Sequence, residues 1–81
     1  MIKLYFISVL VVTTNTIPEG WLQWTIPYSD KSVCEELIKK DKKEIVLAVS
    51  KYFGSKRFVM AKDFECMTYD EAVKLNTELG H

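Results

Sequence analysis

"LYFISVLVV", residues 4–12, decides the fold. The run carries no charge, and Ser8 is its one polar side chain besides the Tyr5 hydroxyl. It can be read as the apolar core of a leader peptide or as a strand with both faces buried. Lys3 precedes it, and its length lies within the range of such a core. The following "TTNTIPEG" offers no small-x-small cleavage site, and the run falls far short of the about 20 apolar residues that cross a membrane as a helix. Ile7, Val9, Val11, Val12, Thr13 and Thr14 are β-branched and follow two aromatics, as strands prefer. The strand reading is therefore adopted. Alternation puts Ile2, Leu4, Phe6, Leu10 and Val12 on one face and Tyr5, Ile7, Val9 and Val11 on the other. Both faces are apolar, which places the strand in the centre of a sheet and covers it on both sides.

Downstream, "NTIPEG" (15–20) reads as a turn with Pro18 and Gly20 at its second and fourth positions. "WLQWTIPY" (21–28) reads as a second strand, with Leu22, Trp24, Ile26 and Tyr28 on one face. Pro27 cannot donate to a ladder, so the strand is an edge that ends near Ile26. Ser32 and Glu35 have capping-box spacing and open a helix. Its stripe runs through Cys34, Leu37, Ile38, Ile45, Ala48, Val49 and Tyr52 to a stop at Gly54. Asp41 interrupts the stripe and predicts a bend or break. A rival reading makes "IVLAVSKYF" and "KRFVMAKDF" a hairpin around Gly54-Ser55. "KRFVMAKDFEC" (56–66) is a third strand with Phe58, Met60, Phe64 and Cys66 on one face. "TYDE" then starts a short helix capped by Thr68, with Glu71 reaching back. Ala72, Leu75 and Leu79 line it, and Gly80 ends it.

The expectation is a single α+β domain, residues 1–81, of order ββαβα. Its three-stranded mixed sheet has order 2-1-3, with both helices packed on one face. This puts the doubly apolar strand in the centre and the proline-bearing strand on an edge. The long helix runs back about 30 Å at 1.5 Å per residue, and the third strand returns about 33 Å at 3.3 Å per residue. Cys34 and Cys66 should thus be neighbours at one sheet edge, as a disulfide or as two buried thiols. A bridge would contribute about 3–4 kcal/mol in the chain-entropy model.

With both helices on one side, the other face would expose Tyr5, Ile7, Val9 and Val11, flanked by Trp21 and by Val59 or Ala61. Such a patch exceeds what a soluble monomer usually shows. It points to a homodimer or another protein partner, with Tyr5, Ile7, Val9, Val11 and Trp21 as contact residues.

Size and composition agree with a binding role. Eighty-one residues, 48% of them apolar, form one small domain of marginal stability. The formal net charge of zero singles out no nucleic acid, anionic membrane or acidic ligand, and weak self-repulsion eases association. Enzyme chemistry is not expected. The one histidine is His81 at the end of the chain, Asp63 and Glu65 alternate with apolar residues and face solvent, and Asp70 and Glu71 serve helix initiation. No phosphate-binding glycine loop and no set of four metal ligands can be assembled, so neither cofactor nor metal is expected. Lys39, Lys40, Lys42 and Lys43, with Trp21, Trp24 and Tyr28 as stacking platforms, give weak nucleic-acid binding as a minor alternative. Glu35, Glu36, Asp41 and Glu44 balance that run, which reads as a solvated face.

The strand pair, the "SDKSVCEELI" helix start and the strand ending "FECMTYDEA" together resemble small uncharacterised proteins encoded by bacteriophages. The resemblance spans most of the chain. It implies a viral protein acting inside an infected host through protein contacts, such as blocking or redirecting a host factor. It brings no catalytic residue. A cytoplasmic location, in the host cell if viral, is favoured over secretion. The main alternative is a small secreted or periplasmic protein bridged through Cys34 and Cys66.

Overall fold

A computed structural model describes residues 3–16 and 18–81. Ile2, assigned above to one face of the first strand, and Ile17, inside the proposed turn, lie outside the described residues. The elements run β1 (Phe6–Thr13), β2 (Glu19–Gln23), α1 (Lys31–Phe53), β3 (Phe58–Met67) and α2 (Tyr69–Glu78). The fold is α+β with the order ββαβα, and the strand order is β2-β1-β3. β1 pairs antiparallel with both neighbours. β2 and β3 therefore point the same way, as the helical crossover demands. They never touch, however, so the sheet is antiparallel throughout rather than mixed.

β1 is central because its length and apolarity suit pairing on both edges. Its odd-numbered residues Ile7, Val9 and Val11 are buried together with Cys34, Ile38, Ile45 and Val49 of α1 and Cys66 of β3. Tyr5, Leu22, Trp24, Tyr28, Leu37, Phe53, Phe58, Ala61 and Phe64 close this core at its margins. α1 packs on β3 and β1, whereas α2 packs on β2. Met67 and Ala72 are buried but stand outside the core under α1. The two helices thus do not share one face, as the sequence reading had them. The reason lies at Asn76 of α2. Trp21 turns its N–H and C=O away from β1, and the Asn76 carboxamide accepts from the first (2.7 Å) and donates to the second (3.1 Å). His81 adds a ring contact through Nε2 to the Glu19 carbonyl. α2 is held beside the outer edge of β2 by groups that stand in for a fourth strand.

Several boundaries shift for local reasons. β2 begins at Glu19, so Gly20 belongs to the strand and not to the turn. A side chain there would strike the His81 ring, since an ideal Cβ lies 2.8 Å from Nε2. The strand stops at Gln23. Trp24 still donates to Ile7 (2.9 Å), and the chain then bows out until Tyr28 exchanges two 2.8 Å hydrogen bonds with Tyr5. Ile26 sits on the bow, 56% exposed, and leaves the face of Leu22 and Trp24.

α1 starts two residues earlier than the Ser32 box suggested. Asp30 is its cap, and its carboxylate accepts from the Ser32 amide (3.0 Å) and hydroxyl (2.7 Å). The helix covers the stretch that the rival hairpin would have used. It is broken at Asp41 (φ −110°, ψ 21°) and ends at Gly54, whose φ of 83° suits glycine. β3 departs from simple alternation. Register shifts opposite Leu10/Val11 and Val12/Thr13 each insert a residue. The side chains reaching the core are therefore Phe58, Ala61, Phe64 and Cys66. Met60 pairs with Val12 on the opposite face and is 49% exposed, against the expectation that it would join Phe58 and Phe64.

Candidate interaction surface

The residues first assigned to an open face are the core instead. Val9 is fully buried, Ile7 and Val11 are buried, and Tyr5 packs against them under α1. The deciding register is Ile7 opposite Cys66. Cys66 shares the face of Ile7, and it is bonded to Cys34 in the first turns of α1, with Cα atoms 6.0 Å apart. The bridge and the odd-numbered residues of β1 must then lie on the same side as the long helix. Trp21 pairs with Leu10 and so belongs to the other face, half-buried. It does not join Val9.

The second face has a closed end and an open end. At the closed end Ser8 is fully buried and donates to the Phe6 carbonyl (3.2 Å). Gln23 Nε2 donates to Ser8 Oγ (3.0 Å) and to the carbonyls of Met67 and Thr68 (3.3 Å each). One amide thereby ties β2, β1, the end of β3 and the start of α2. Thr68 caps α2 by accepting from the Glu71 amide, and the Glu71 carboxylate accepts from the Thr68 hydroxyl (3.2 Å each). At the open end Leu10, Val12 and Trp21 are half-buried, and Met60 is largely exposed. Lys62 and Glu19 close an ion pair of 2.9 Å across the sheet on either side of the Val12 row. The pair is surface-exposed and contributes little to stability.

A sequence signal for choosing the face did exist. Ser8 is the sole small polar group in the run, and Gln23 falls opposite it in the hairpin. The face holding both is the one that needs polar partners and not the one a long apolar helix stripe covers.

The remaining candidates are dispersed. Lys39, Lys40, Lys42 and Lys43 are exposed on α1, and Lys42 lies over the Phe64 ring at 4.9 Å. Asp63 and Glu65 are exposed, and Asp63 accepts from the Phe64 amide (2.8 Å), masking part of the outer edge of β3. Asp70 and Glu71 lie in the first turn of α2. Among the described residues no three metal-ligating side chains converge, and no helix is long and apolar enough to cross a membrane.

A cleft that sequence reasoning missed lies between the second half of α1 and residues 22–28. Its walls are Leu22, Trp24 and Tyr28 on one side and Ala48 and Tyr52 on the other. Tyr52 had been placed in the buried stripe, yet it is 73% exposed at the mouth. Val49 and Phe53 still pack on the core, so Tyr52 lies on the outer flank of a helix end that remains seated on the sheet. Comparison with protein-family models, with curated proteins and with solved structures returns no match.

Proposed function

We propose that this domain is a non-catalytic protein-interaction module that pairs with a second copy of itself through the sheet face opposite α1. The observation that supports the reading is the half-exposed state of Leu10 and Val12 on the central strand, beside Trp21 and Met60. Central-strand apolar residues of a small domain normally lie under another layer. A two-fold stack of two such faces would supply that layer, and zero net charge leaves no repulsion to oppose it. The resemblance to phage proteins adds a host protein as the alternative occupant of the same face.

Sedimentation equilibrium over a wide concentration range tests the reading. The wild type should fit a monomer–dimer equilibrium, and Leu10→Lys should remain folded and monomeric. A wild type that stays monomeric across that whole range would remove the homodimer.

A second reading is favoured by the Cys34–Cys66 bridge. Disulfides persist in oxidising compartments, so the domain would act outside a reducing cytosol. Alkylation of thiols in intact source cells tests this. Oxidised cysteines support export, and free thiols oppose it.

A further inference from the structure

The geometry points to a second binding site, a socket for an alkylammonium cation, in the cleft where α1 breaks. Here a cavity of about 220 Å³ is lined by Ile7, Trp24, Tyr28, Leu37, Asp41, Glu44, Ile45 and Ala48. Trp24 and Tyr28 line this open crevice together with the acidic Asp41 and Glu44, and the rest of its lining is apolar. Trp and Tyr faces attract cations, most strongly where water is excluded. Asp41 and Glu44 supply the countercharge, and Leu37, Ile45 and Ala48 supply a surface for a short alkyl stem. The volume is below the about 300–1,000 Å³ of sites for drug-sized ligands, which limits the guest to a small cation or a single side chain.

The chain's own lysines do not use this chamber. Four of them crowd residues 39–43, yet no lysine or arginine lines it. The cation–π contacts among the described residues go elsewhere, from Lys31 to Tyr5 and from Lys42 to Phe64. The one ion pair among the described residues is Lys62 with Glu19, so Asp41 and Glu44 form no direct salt bridge there, and the lysines at 39–43 flank them from the solvent side. Asp41 lines the crevice at the point where α1 breaks. A straight helix would carry that position along the buried stripe between Ile38 and Ile45, where an unpaired charge is not tolerated. The cleft continues past Ala48 to Leu22 and Tyr52, and this stretch, too, is free of basic residues. It gives apolar footing to whatever carries the cation.

The cation could be a free amine or the lysine side chain of another protein, and the test separates them. The full-length, ¹⁵N-labelled protein is titrated at constant ionic strength with butylammonium, with N-acetyl-lysine N-methylamide and with butanol as the neutral control. Saturable shifts are expected at the Trp24 indole N–H and at the amides of Asp41, Glu44 and Ala48 with both cations. Butanol should bind about fivefold more weakly or not at all. The double variant Asp41→Asn, Glu44→Gln should lose about fivefold or more of the cation affinity, and Lys39→Gln should keep it. Equal affinity for butylammonium and the lysine derivative assigns the socket to a protein side chain. A preference for butylammonium assigns it to a free amine. Equal binding of butanol, or undiminished binding by the double variant with its fold intact, would overturn the proposal and leave an apolar crevice.

Discussion

Among the described residues, Gln23 makes more side-chain hydrogen bonds than any other. Its amide donates to Ser8 and to two carbonyls at the β3–α2 junction. Gln23→Leu keeps the volume but strips the donors; the Thr68 carbonyl keeps the Ala72 amide (3.1 Å), so the loss falls on the Ser8 hydroxyl and the Met67 carbonyl. The expected loss is about 1–3 kcal/mol in urea unfolding. Gln23→Glu should be worse, because it turns a carboxylate toward those same carbonyls. Wild-type stability of Gln23→Leu would show that the hydrogen bonds are immaterial.

Asp30 makes a prediction of a different kind. Hydrogen bonds from the Ser32 hydroxyl and amide hold its carboxyl below the ordinary value of 3.8. A lowered folded value means the ionised form favours the fold. The contribution is therefore complete above pH 3.8 and fades as pH falls through the lowered value. Thermal melts of the wild type and Asp30→Asn should differ at neutral pH and converge in acid. Parallel curves down to the lowest pH would contradict the capping role.

At the scale of elements, the bridge and the break divide α1 into two anchored halves. Cys34 and Ile38 hold the first half, and Ile45 and Val49 hold the second. The bridge closes a loop across a separation of 32 residues, which removes about 3–4 kcal/mol of unfolded-state freedom. A domain of this size shifts by about 4–8 °C per kcal/mol. Reduction, or Cys34→Ala with Cys66→Ala, should thus lower the melting temperature by about 12–30 °C. A shift under a few degrees would mean that packing alone fixes the helix.

The proximity of these cysteines was legible in the sequence because it follows from element lengths, which periodicity reveals. The caps of α2 and the stop at Gly54 were legible for a similar reason, being chemistry within a few residues. The face of β3 was not. Its core residues fall at 58, 61, 64 and 66 because two bulges break the alternation, and bulges depend on the partner strand. The Asp30 cap was masked by Ser32, which mimics one and in fact donates to it.

For the whole molecule, the open question for any reader of the sequence was which side of β1 the long helix covers. Both sides are largely apolar, and the mark that distinguished them was Ser8 with Gln23 opposite it. A pairing register one residue different would have exchanged core and surface. The sheet order was recoverable because proline and uniform apolarity mark edge and centre. The candidate site was recoverable only in kind, as an uncovered sheet face, and it lies one residue out of phase with the first assignment. Trp21 is the contact residue common to both. The cleft at Trp24 was beyond reach, because it exists only once α1 breaks and the chain bows between Trp24 and Tyr28.

The claim that everything else requires is that Val9 faces the helix and Leu10 faces outward. Urea unfolding of Val9→Lys and Leu10→Lys, measured side by side, tests it most directly. Val9→Lys should lose more than about 4 kcal/mol or fail to fold, because it buries an unpaired ammonium. Leu10→Lys should lose no more than about 1–2 kcal/mol, the contribution of a half-buried side chain. The reverse order of tolerance would place α1 on the other side of the sheet and contradict the account.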